Sequence, residues 1–328
     1  MLTNRRRLLQ TCAWGTAAAA AGLTLGSQPK RKALIAITLD LEMSAEYPRR
    51  GMTEWNYRKG ELDTDTKRYA VEAAQVAKDH GGLIHFFAVG QTLEQADVAW
   101  LRDLAAVGHA VGNHTYDHIN VKATTLEELQ FRFRRAPWLL RDRPVSEVID
   151  DNIATTTLAL KQRCGITAQG FRTPGGFQQG LHDRPDLQKL LLKQGFKWVS
   201  SLYPAHEVGM LEMPPSEDVY ADLLRAQERA QPFAYPTGLI EIPMSPISDV
   251  TAFRTPRWKL AWFLKAIERG VREAIDKGMV FDFLAHPSCL VIEDSKFEAI
   301  KLICELARSA GDRAAITDLD TIAATVST

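Results

Sequence analysis

From residue 33 onward, short apolar runs alternate with segments of helical period, and this alternation constrains the fold more than any other feature of the chain. Runs at 33–39, 83–89, 109–112, 167–171, 196–200, 239–243, 279–285 and 314–317 read as strands. Between them, 64–80, 97–107, 125–140, 146–164, 186–194, 257–277 and 295–310 repeat apolar residues every three or four positions and read as helices. Strands separated by helices imply βα units and a parallel sheet, here of about seven or eight strands. A length of 328 residues also fits two domains, but the unbroken rhythm favours one α/β barrel-like domain. Two stretches interrupt it. Residues 43–63, with Tyr47, Trp55 and Tyr57, and 206–238, rich in Pro, Glu and aromatics, read as long loops: either substrate walls or lids that pack over the barrel ends.

Charge narrows the partners. Forty Lys and Arg balance forty Asp and Glu, so the chain lacks the basic surface that a phosphate backbone demands, and nucleic acid is not expected as a partner. The first residues place Arg5-Arg6-Arg7 before an uncharged, Ala-rich stretch that ends near Ser27. Paired arginines before a mild apolar segment resemble a twin-arginine export signal, and the stretch is too short and too weakly apolar for a stable membrane span. Residues 1–27 are therefore expected to be a leader recognised by the twin-arginine export machinery, and 28–328 a periplasmic or secreted domain. Of four cysteines, Cys12 lies in the leader; Cys164, Cys289 and Cys304 allow at most one disulfide, so the core must supply the stability.

Four polar groups cluster at strand ends. Thr38-Leu39-Asp40-Leu41-Glu42 closes the first apolar run. Side chains two apart on a strand point the same way, so Asp40 and Glu42 should meet at one spot, one free as a base while the other binds metal, with the spacing silent on which does which. His114-Thr115-Tyr116-Asp117-His118 follows the third run, and histidines four apart on a helical turn can reach one cation. With a carboxylate they make a three-ligand site that leaves room for water. Arg172-Thr173-Pro174-Gly175-Gly176 leaves the fourth run; the arginine can orient a carboxylate, and Pro174 and Gly175 set a turn that presents backbone N–H groups. His286 ends the run that carries Leu284.

This ordered set resembles the polysaccharide deacetylase family, the NodB-like or family 4 carbohydrate esterases, over most of residues 33–320. His114-Thr-x-x-His118 is similar to the family's H-[ST]-x-x-H motif, and Arg172-Thr-Pro-Gly to its R-x-P-x-G region. The resemblance implies a single distorted (β/α) barrel of about seven strands with loop insertions. It implies a divalent metal, zinc before others, held by Glu42, His114 and His118, with Asp40 as base, Arg172 orienting Asp40, and His286 as general acid. Leu284, Trp198, Pro174 and Gly175 would contact substrate, an acetylated glycan or peptidoglycan losing N-acetyl groups. The sequence departs from the family in reading Thr-Leu-Asp-Leu-Glu where TFDDG is usual, and in having no acid beside Trp198 in 195–201. Hydrolysis of another amide or a cyclic imide, or sugar binding without turnover, are the competing expectations.

Overall fold

The computed structural model describes residues 31–326; the expected leader, 1–27, lies outside them. Nine strands form one sheet: β1 Ala33–Leu41, β2 His85–Ala88, β3 Ala110–Asn113, β4 Gly170–Phe177, β5 Trp198–Leu202, β6 Phe233–Ala234, β7 Ile240–Glu241, β8 Val280–Ala285 and β9 Ala314–Ile316. Their order is β6-β7-β5-β4-β3-β2-β1-β8, with β9 also on β1. Every pairing is parallel except β6 with β7. The curled sheet is a distorted, open (β/α) barrel. Among the described residues, no helix is long and apolar enough to cross a membrane.

The pleat of β1 sorts its side chains into two environments. Ile35, Ile37 and Leu39 point outward and join Ala70, Ala73, Ile267, Val271, Ile300 and Ile303 on helices Thr64–Asp79, Leu260–Lys277 and Glu298–Ser309. Ala36 points inward, where it meets Phe87, Trp198, Leu319 and Ile322. The barrel floor is therefore apolar and plugged by the helix Leu319–Ala323. Higher on the same inner face of β1 come Thr38 and Asp40, while β8 contributes Asp282 and then Leu284. Polarity thus rises along the inner wall toward the C-terminal strand ends, where barrel active sites form.

Two expected elements differ. The single helix expected at 125–140 is broken into Leu126–Leu129, Phe131–Arg135 and a 3-10 turn at Pro137–Leu139; Gln130 is extended, and Pro137 cannot continue a helix. The stretch 206–238 is not one loop. It holds the helix Glu217–Arg229, capped by the Ser216 hydroxyl accepting from the Val219 N–H, and the short strand β6. By contrast, 43–63 is irregular apart from one turn at Glu54–Asn56. The three described cysteines are buried and free, with no disulfide among them.

Candidate active site

A cavity of about 130 Å³ opens at the C-terminal ends of the strands, lined by Asp40, Glu42, His114, His118, Leu284 and His286 among others. Asp40 and Glu42 face it together, as the strand alternation requires, and both are almost wholly buried. His114 Nε2 lies 3.7 Å from Asp40 Oδ2 and 3.7 Å from Glu42 Oε2. Gly175 also lines the cavity, beside Thr173 and Gly176. Gly175 adopts φ +78°, a conformation that L side chains rarely take, which lets the end of β4 turn beneath the site. Pro174 and Trp198 do not line the cavity. Trp198, expected to contact substrate, instead sits on the barrel floor away from this cavity and donates its indole N–H to Asp320 Oδ1 at 2.8 Å.

The histidine pair reaches the site by a route that the spacing did not foretell. Residues 114–118 form an irregular loop after β3 rather than a helical turn, with Thr115 and His118 both left-handed at φ 56° and 55°. Side chains from neighbouring elements hold the loop. Asn113 Oδ1 accepts from the Thr115 N–H, Asn152 Oδ1 accepts from the N–H groups of Tyr116 and Asp117, and the Thr115 hydroxyl accepts from the Ile119 N–H. His114 Nδ1 lies 2.9 Å from the Arg172 carbonyl oxygen. A carbonyl can only accept, so Nδ1 carries the proton and Nε2 turns a lone pair toward the carboxylates.

Glu42, His114 and His118 offer three ligand atoms within 4.8 Å of one another. Glu42 Oε2 is buried without a hydrogen-bond partner, yet His118 Nε2 stands against it. Burial alone would raise the Glu42 pKa, but His118 and Lys59 beside it hold it well below the usual carboxylate range. Burial, with Lys59 and His114 nearby, lowers His118 to about 4 despite Glu42. An ionised Glu42 carboxylate beside a neutral His118 imidazole is the pair of protonation states that a divalent cation requires. The residues present fit such an ion.

Two second-layer assemblies support the cavity. Arg172, fully buried, donates to Asp40 Oδ1 at 3.1 Å, Thr38 Oγ1 at 2.7 Å and Asp282 Oδ2 at 2.5 Å. Burial raises the Asp282 carboxyl to about 6 in spite of that guanidinium. Opposite, His286 Nδ1 lies 3.0 Å from Asp249 Oδ1, and the His286 backbone N–H donates to Asp249 Oδ2 at 2.9 Å. This leaves His286 Nε2 facing Glu42 Oε1 at 3.5 Å and Asp40 Oδ2 at 4.0 Å. Sequence reasoning missed Asp249, together with Lys59, whose ammonium donates to Glu42 Oε1 at 2.7 Å, and Arg254 and Tyr203 on the cavity wall. All four lie outside the motifs read from the sequence: Lys59 on the 43–63 loop, Tyr203 just after β5, Asp249 just before the turn Val250–Arg254 and Arg254 at its end.

A family model described as polysaccharide deacetylase matches residues 61–184, a span that includes His114, His118 and Arg172. Over these residues the chain matches the polysaccharide deacetylase family. The match gives the reaction class as that of a hydrolase of the deacetylase type, acting on carbon–nitrogen bonds. The deacetylase fold also recurs in a crystal structure assigned as a polysaccharide deacetylase from Mycobacterium smegmatis, at 18% identity and TM-score 0.57, covering 91% of each chain. A second so assigned, from Pseudomonas aeruginosa, aligns at 13% identity and TM-score 0.59 over 89% of each chain. At these identities the likeness speaks for the fold. No curated protein matches the deacetylase chain.

Proposed function

We propose that the chain is a metal-dependent enzyme that removes N-acetyl groups from an extracytoplasmic glycan or peptidoglycan. The observation that carries this reading is the meeting, across one cavity, of a three-ligand set with two independently braced proton-transfer groups, Asp40 on Arg172 and His286 on Asp249. Glu42, His114 and His118 would hold the ion, zinc before others. When bound there, such an ion would lower the pKa of a bound water toward about 7 and would polarise an acyl oxygen.

The chain's own residues divide the remaining work. Asp40, fixed through Oδ1 by Arg172 and left with Oδ2 toward the cavity, takes the proton of the attacking water. His286, anchored through Nδ1 by Asp249, presents Nε2 to the departing amine, which cannot leave as an anion and must be protonated. Backbone N–H groups of Thr173, Gly175 and Gly176 would donate to the acyl oxygen as it gains charge, and Leu284, which lines the cavity, would supply an apolar wall for the acetyl methyl group. Residues 1–27 would direct the domain out of the cytoplasm through twin-arginine export. The test is metal analysis of the purified protein together with acetate release from chitin oligomers, peptidoglycan and other acetylated glycans. One ion per chain and acetate from at least one of them is the expected outcome; full activity without metal, or no acetate from any, overturns the reading.

A further inference from the structure

The cavity carries a cationic side chain that its own acids do not neutralise. Asp40 is paired with Arg172 and Glu42 with Lys59, and Asp249 is taken up by His286. Arg254, on the turn Val250–Arg254, lines the same cavity but forms no ion pair among the described residues. Its Nη2 touches the Ser44 hydroxyl and lies 3.3 Å from His286 Nε2, while its Nε is buried without a partner. A guanidinium has five donors in a planar fork, and this one leaves most of them unused at the place where a substrate must bind.

The charge balance points the same way. Four carboxylates, Asp40, Glu42, Asp249 and Asp282, stand against Arg172, Lys59 and Arg254, a formal excess of one negative charge. A divalent ion on the three-ligand set turns that excess into one positive charge, in a partly desolvated cavity where an uncompensated charge is costly.

We propose that Arg254 is a specificity-determining residue that receives a carboxylate carried by the substrate. The proposal rests on the deacetylase reading and names its substrate class, an N-acetylated sugar with a carboxylate close to the acetamido nitrogen. Arg254 stands beside His286, the residue that meets the amine, so the carboxylate belongs on the amine side of the scissile bond. A cavity of about 130 Å³ has room for an acetamido group and one small substituent beside it; a single water needs about 10–15 Å³ of such volume. A carboxylate matches the guanidinium fork two hydrogen bonds at a time.

The test compares N-acetylmuramic acid with its methyl ester, which keep the same sugar and acetamide and differ in charge. Both are titrated calorimetrically into metal-loaded protein carrying Asp40→Asn, a background common to all arms that stops turnover. The acid is expected to bind at least tenfold tighter than the ester, about 1.4 kcal/mol. The ratio should collapse toward one with Arg254→Gln and be partly kept with Arg254→Lys, which also serves if the glutamine variant does not fold. Absence of a preference in the parent protein overturns the proposal. So does a preference that survives Arg254→Gln, which would place the carboxylate on the metal or another group. Failure of the deacetylase reading looks different: protein with Asp40 intact then releases no acetate from any glycan, whatever the binding ratio.

Discussion

Arg172 grips Asp40 and Asp282 with one guanidinium that no solvent reaches, at 3.1 and 2.5 Å. Removing it leaves two buried carboxylates without their cation. Arg172→Met should therefore cost about 3–5 kcal/mol of stability, and adding Asp282→Asn should return part of the loss by removing one orphaned charge. Thermal unfolding of the single and double variants checks this; a single variant as stable as the parent would refute the bracing role.

Metal binding should follow the ligand set. His114→Ala or His118→Ala leaves two of three ligands, and elemental analysis should find the stoichiometry falling from about one ion per chain toward zero.

Asp40 and Glu42 should separate by readout. Asp40→Asn is expected to keep the ion and lose about 10² to 10⁴ in rate, as loss of a general base does, whereas Glu42→Gln should lose metal affinity first. Metal lost from Asp40→Asn and retained by Glu42→Gln would exchange their roles.

His286 and Asp249 should fail together but selectively. If His286 protonates the amine, His286→Ala and Asp249→Asn should depress amide hydrolysis steeply and spare an activated ester, whose leaving group needs no proton. The alkaline limb of the kcat/KM profile should change in both. Equal losses on the two substrates would make the pair structural.

Acid should destabilise the barrel through its buried histidines. Burial, aided by Arg172, lowers His85 to about 3, and burial beside Lys78 lowers His109 to about 4. The unfolded chain protonates these rings near their ordinary value of 6.5 while the folded chain does not, so the unfolded state gains protons, and stability falls, as pH drops from about 6.5 toward 4. Each ring contributes up to roughly 1.4 kcal/mol per pH unit within that window. Asp282, raised to about 6, acts oppositely: its contribution is lost as pH rises from its ordinary 3.8 through 6. His85→Asn should flatten the acid side of the melting-temperature profile, and an unchanged slope would contradict the assignment.

What was legible in the sequence follows from what a strand dictates. Once the apolar runs are strands, a period of two places Asp40 and Glu42 together, and parallel order gathers Arg172 and His286 at the same end. The histidine pair was found for an insufficient reason. A spacing of four suits a helical turn, but the left-handed backbone at Thr115 and His118 depends on Asn113 and Asn152, whose bonds across the fold no local pattern announces. Lys59, Asp249 and Arg254 were invisible because irregular segments and one short turn deliver them, and such chain carries no period. The helix Glu217–Arg229 did leave a local trace, Ser216 before two acids and then Tyr220 and Leu223, within a stretch otherwise rich in loop-forming residues.

β1 carries Asp40, leads directly into Glu42, and has parallel neighbours on both flanks, β2 and β9 on one side and β8 on the other. Its amides should be among the last in the molecule to exchange with deuterium, because opening them means opening the centre of the sheet. Asp40 is thus mounted on, and Glu42 placed directly after, a strand held from both sides. Any rearrangement that admits substrate is then expected in the irregular 43–63 segment and the outer walls, around a centre that is already assembled.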